Sequence, residues 1–127
     1  VRSFATTLTV ATALLLTAAA SEEPAMTAAD LAQLCSGTDH VSRNACRIYI
    51  LGVTQGMDVG FHMAGGRNRA GRPCVPRGIS AEELETTVKQ KLSALDATAG
   101  ARDAAGFIAD VLLKSFPCAK APPQGQP

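Results

Sequence analysis

Few residues in this chain could do chemistry: four cysteines, two histidines and scattered carboxylates and serines. The cysteines are Cys35, Cys46, Cys74 and Cys118. Cys35, His40 and Cys46 lie close in sequence, but no C-x-x-C unit is present and the spacing fits no common zinc pattern. No metal and no cofactor are expected. Cysteines held as disulfides supply no thiolate, so a cysteine nucleophile is excluded with them. His62 follows Asp58 by four residues, which places both on one helix face as a plain surface pair. A hydrolytic triad would add a serine in a nucleophile setting, and Ser36, Ser42, Ser80, Ser93 and Ser115 lack one. Gly65-Gly66-Arg67 leads into no strand–turn–helix phosphate loop. No enzyme class is indicated, and the chain reads as a binding protein.

Composition narrows the binding partner. The 127 residues are 46% hydrophobic and 18% charged, enough for one small domain. A net charge of +1 excludes a general nucleic-acid binder, and 4% aromatics without tryptophan exclude a base-stacking platform.

The first residues set the compartment. Arg2 precedes an apolar run, Leu8 to Ala20, of signal-peptide length and too short to span a membrane comfortably. Ala18 and Ala20 satisfy the small-x-small cleavage pattern. Residues 1–20 are therefore expected to be a signal peptide cut after Ala20, giving export to the periplasm by the general secretory route. Arg2 is the one charge in this leader, so the mature chain is electrically balanced. It contains no second apolar span and is not expected to be membrane-embedded. An even cysteine count behind a leader reads as two disulfides.

The elements that must position these cysteines read as an all-α bundle of about four helices over residues 21–118, followed by a proline-rich, disordered tail at 119–127. The first helix starts at Thr27 with Asp30 as an acidic variant of the capping box and runs to about Cys35. After a turn at Gly37 to Asp39, the second starts near Ser42 and runs to about Ala64, ended by Gly65 and Gly66. The third has Ser80 with Glu83 as its capping box and runs to about Leu95. The fourth runs from about Ala101 to Phe116, stopped by Pro117. Cys35 ends one helix and Cys46 opens the next across a short connection. Cys74 precedes the third helix and Cys118 follows the fourth, which an antiparallel hairpin brings together. The expected pairs are Cys35–Cys46 and Cys74–Cys118.

Leu84, Val88, Leu92 and Leu95 form one apolar stripe, with Glu82, Glu85, Lys89 and Lys91 on the remaining face. Ala104, Phe107, Ile108, Val111, Leu112 and Phe116 form another. The second helix is apolar nearly all round and carries Gly52, Gly56 and Gly60 at spacings of four. Each glycine costs about 1 kcal/mol against alanine in a helix, so close approach of another helix is the expected return. That partner is either a neighbour within the bundle or the same row of a second copy. Gln55, Asp58 and His62 rule out a membrane-buried version. The arginines of residues 36–80 are either a solvated surface or a docking face for an acidic partner. The loop Gly65–Gly78, with Arg67, Asn68, Arg69, Arg72 and Arg77, is the candidate partner-binding element, pinned by Cys74 and stiffened by Pro73 and Pro76.

Taken in order, these motifs resemble a known family. A short leucine-bearing helix ends in Cys35, and Cys46 precedes Tyr49-Ile50-Leu51-Gly52-Val53 and Gly56. Then come Cys74-Val75-Pro76-Arg77-Gly78-Ile79, two helices and Phe116-Pro117-Cys118. The pattern, over roughly Leu31 to Cys118, resembles the Rap/Tai family of type VI secretion immunity proteins. The resemblance implies a helical, disulfide-bonded periplasmic homodimer that binds a peptidoglycan amidase effector and covers its cysteine–histidine cleft. The chain departs from the pattern at Gln55, where the family often has an acidic residue. It departs again at Asp96–Gly100, which replaces a proline-containing link. The alternative expectation is an exported helical stress or chaperone-like protein, or an orphan envelope protein without a paired effector.

Overall fold

Every helix among the described residues begins at a polar side chain that accepts a bond from its own first turn. The computed structural model describes residues 25–65 and 71–118. The expected signal peptide (1–20), the expected tail (119–127) and Arg67, Asn68 and Arg69 of the loop lie outside the described residues. Five helices are present among the described residues: α1 (Ala28–Ser36), α2 (His40–Met63), α3 (Ala81–Leu92), α4 (Ala97–Gly100) and α5 (Ala104–Ser115).

The caps explain the starts. Thr27 opens α1 with a complete box: its hydroxyl accepts from the Asp30 amide at 3.2 Å, and the Asp30 carboxylate accepts from the Thr27 amide at 3.0 Å. Asp39 opens α2, accepting from the Ser42 amide at 2.9 Å. The helix therefore starts at His40, ahead of the expected Ser42, because Asp39 is itself a strong cap. Ser80 opens α3 by accepting from the Glu83 amide at 3.1 Å. Ala64 caps the end of α2, and Gly65 after it takes φ +91°, a left-handed conformation that costs glycine little.

The last expected helix begins at Ala104, a few residues after the expected Ala101, and a break separates it from an extra single turn, Ala97–Gly100, formed in the expected link. Asp96 caps the single turn α4, and Asp103 caps α5. The break has a non-local cause. Ala28 donates its amide to the Arg102 carbonyl at 2.8 Å, and Ala104 donates to the Met26 carbonyl at 2.9 Å. This Thr27–Asp103 bridge holds the chain extended where a continuous helix would run, and it ties the start of α1 to the start of α5.

The core lies between α1, α3, α5 and the first half of α2. Leu31, Cys35, Cys46, Ile50, Val88, Ile108 and Leu112 are buried within it. Each large aliphatic side chain fully removed from water contributes roughly 1.5–3 kcal/mol. Both expected stripes are realised. Leu84, Val88 and Leu92 are buried with Leu95 packed against them. Ala104, Phe107, Ile108, Val111 and Leu112 are buried with Phe116 beside them. Both disulfides pair as expected, Cys35–Cys46 with Cα atoms 5.0 Å apart and Cys74–Cys118 with 4.9 Å.

Candidate functional site: an edge groove and a bare helix face

The second half of α2 contributes differently from the first. Cys46 and Ile50 are its only buried residues. A helix of this length, 24 residues, extends about 36 Å at the usual rise, so its last turns run out past the core. Beside them lies the segment that returns from Gly71 to Ser80. Cys74 stitches it to the end of α5 twice, through its disulfide to Cys118 and through its amide, which donates to the Phe116 carbonyl at 2.8 Å. Gly78, at φ +116°, turns it back so that Ile79 meets the core and Ser80 caps α3.

Between this segment and α2 is a groove of about 900 Å³. Met57, Val59 and Phe61 line it on the helix side; Pro73, Val75 and the Cys74–Cys118 bridge line the other. Asp58 spans the gap. One carboxylate oxygen accepts from Arg72 Nη2 at 2.7 Å, and the other stands 3.7 Å from His62 Nε2. Asp58 and His62 thus form the exposed surface pair read from their spacing. Arg72, one of the expected partner-binding residues, is here paired with Asp58 and ties the segment to α2. Arg77 also lines the groove and is exposed.

The glycine row faces outward. A Cβ placed on Gly52, Gly56 or Gly60 meets nothing within 4 Å among the described residues, so the expected close packing inside the bundle is not what the row does there. Val41, Ile48, Gly52, Val59 and Met63 share one face of α2 at spacings of seven, four, seven and four. Its four large side chains are 76%, 60%, 56% and 83% exposed in that order. α2 reads as apolar all round because one side covers the core and the other is bare.

Glu85, expected with Glu82, Lys89 and Lys91 on the face of α3 away from the apolar stripe, is placed otherwise. It is buried, and Arg47 Nε donates to its carboxylate at 2.7 Å while Lys89 Nζ stands 3.6 Å away. That bond and the carboxylate's charge hold the Arg47 guanidinium above its usual range. Arg47 thus belongs to the α2–α3 junction. Nothing local marked the pair except Glu85's place beside Leu84 at the edge of the stripe.

All four cysteines are oxidised. Among the described residues no group of three His, Cys, Asp or Glu side chains could hold a metal ion, and no helix is long and apolar enough to cross a membrane. A small helical bundle stapled by two disulfides, with an edge groove and an unpartnered helix face, has the build of a protein-binding module. The model of the Rap1a immunity proteins matches residues 27–118, from the N-cap of α1 to the last cysteine, and the chain belongs to that family. No curated protein and no solved structure matches it.

Proposed function

We propose that this protein is a type VI secretion immunity protein that acts in the periplasm. It binds a peptidoglycan amidase effector and blocks it, without turnover. The family match over residues 27–118 carries the reading. Two disulfides, which persist in oxidising compartments, support export. Inhibition is by occlusion: the projecting end of α2 and the loop Gly65–Gly78 cover the effector's cysteine–histidine cleft. In this reading Arg67, Asn68, Arg69, Arg72 and Arg77 form the partner-binding set. Arg77 and the loop arginines meet acidic groups of the effector, and Arg72 holds the loop through Asp58. The bare face of α2 is the homodimer seam, with Gly52, Gly56 and Gly60 allowing close approach of the second copy.

The exposed Val41, Ile48, Val59 and Met63 favour one second reading, an exported chaperone-like protein that binds unfolded chains through that face. The test is capture of a purified effector encoded beside the gene, followed by an amidase inhibition assay. Tight binding with inhibition supports immunity. Failure to bind it, with capture of unfolded chains in acid, supports the alternative.

A further inference from the structure

The two disulfides differ in surroundings. Cys35 and Cys46 are 4% and 0% exposed, inside the core between α1 and α2. Cys74 is exposed and Cys118 half-buried, and both line the groove. Thiol–disulfide exchange needs an attacking thiolate to reach a sulfur along the S–S axis, so access decides which bond is cut first. Apart from the disulfide, the described fixings of the 71–78 segment are the Cys74 amide bond to Phe116 and the Arg72–Asp58 pair at its start. The ion pair is exposed, and such pairs hold weakly.

We propose that Cys74–Cys118 is a redox clamp on the groove, opened by a dithiol reductant while Cys35–Cys46 and the helical core stay intact. The functional half of this proposal rests on the groove being the effector-binding face. The exchange is a balanced two-electron step. A thiolate of the dithiol attacks Cys74 Sγ, forming a mixed disulfide and expelling the Cys118 thiolate, which takes a proton from water. The second thiol of the reductant then attacks the mixed disulfide. It releases Cys74 as a thiol and leaves the reductant as its own disulfide. The segment from Gly71 to Gly78 loses its covalent tie to α5, and one wall of the groove comes away from α2. Chain still carrying thiols, as before export, lacks the finished binding face; oxidation completes it.

The experiment treats the oxidised protein with dithiothreitol, quenches aliquots with iodoacetamide and maps alkylation at each cysteine by mass spectrometry. Helicity is followed in parallel by far-UV circular dichroism. The clamp predicts alkylation of Cys74 and Cys118 at least about tenfold faster than of Cys35 and Cys46, with helicity unchanged over the first phase. Equal rates, the reverse order, or helicity lost in step with the first cut would overturn it. A second arm compares the oxidised, the selectively reduced and the Cys74→Ser/Cys118→Ser proteins for binding to the adjacent amidase effector. At least about a hundredfold weaker binding of both opened forms is expected. Equal binding of oxidised and selectively reduced protein overturns the control of the groove. No binding by the oxidised protein refutes the immunity reading, while the alkylation order still decides the clamp.

Discussion

Up to Ile50, α2 carries fully buried core residues; beyond it Leu51, Val53 and Met57 only pack partly against the core, and the last turns line a groove. Cys46 and Ile50 are closed off by α1, α3 and α5, and the Arg47–Glu85 pair locks the same stretch to α3. From Leu51 to Met63 no residue is buried, and the helix instead offers one wall of a groove and one bare face. Each region carries one disulfide, the first inside the core and the second at the groove. The difference teaches a division of labour. The fully buried residues of α2 sit in its first half, the groove wall lies in its second half, and the bare face, from Val41 to Met63, runs along both.

The largest expected effect comes from the edge region. Replacing Cys74 and Cys118 together by alanine removes a loop constraint over a sequence separation of 44. Chain-entropy arithmetic puts the loss at about 4 kcal/mol, against about 3 for the Cys35–Cys46 pair. The edge bridge thus stabilises more although it lies outside the core, because it closes the longer loop of the unfolded chain. Urea denaturation of both double variants checks the order.

Ile50→Ala should cost about 3 kcal/mol, since the side chain is wholly buried. Val59→Ala, on the bare face, should change stability by less than about 0.5 kcal/mol. Similar losses from both would erase the distinction between the two halves of α2. Glu85→Gln keeps the shape but removes the charge facing Arg47 and Lys89. Weakening a charge-assisted hydrogen bond in this way should cost about 1–2 kcal/mol, and double-mutant cycles with Arg47→Met measure the coupling.

Gly56→Ala should stabilise the single chain by about 0.5–1 kcal/mol, because the added methyl meets nothing and the helix gains propensity. If the row is the seam between two copies, the same change weakens self-association, read by sedimentation equilibrium. A protein that melts higher but dissociates more readily is the expected pattern.

The smallest effect is on the acid side, at the caps of the core region. The Thr27 hydroxyl and amide hold Asp30 below its ordinary 3.8, and bonds from Ser42 do the same for Asp39. A depressed folded value means stability that is fully present above about pH 4 and lost as pH falls through the lowered values. Both first turns should fray as pH falls below about 4. Thr27→Ala should remove part of that acid dependence, seen by circular dichroism.

What was legible in the sequence came from local rules. The stripes of α3 and α5, the Thr27 and Ser80 caps, the stop at Gly65 and both disulfide pairings rest on periodicity or on where helices end. What escaped was non-local. The break between α4 and α5 is imposed by backbone bonds to Met26 and Ala28, far away in the chain. Glu85 meets Arg47 across 38 positions. A helix apolar on all sides does not reveal which side faces the core, so the outward glycine row could not be told from an inward one. The ion pair of Arg72 with Asp58 was also hidden, because Asp58 lies on another element. That pairing makes Arg72 a support for the groove and leaves Arg77 as the exposed described arginine of the loop.

The most direct test measures inhibition of an amidase effector encoded beside the gene, as the proposal requires, by the oxidised protein and by two charge reversals. Arg77→Glu alters the groove, and Lys91→Glu alters the exposed face of α3. Full inhibition by the parent and the Lys91→Glu protein, with at least about tenfold weaker inhibition by Arg77→Glu at unchanged Tm, is the predicted result. Equal inhibition by all three would remove the groove as the binding face, and no inhibition by the parent would contradict the immunity reading itself.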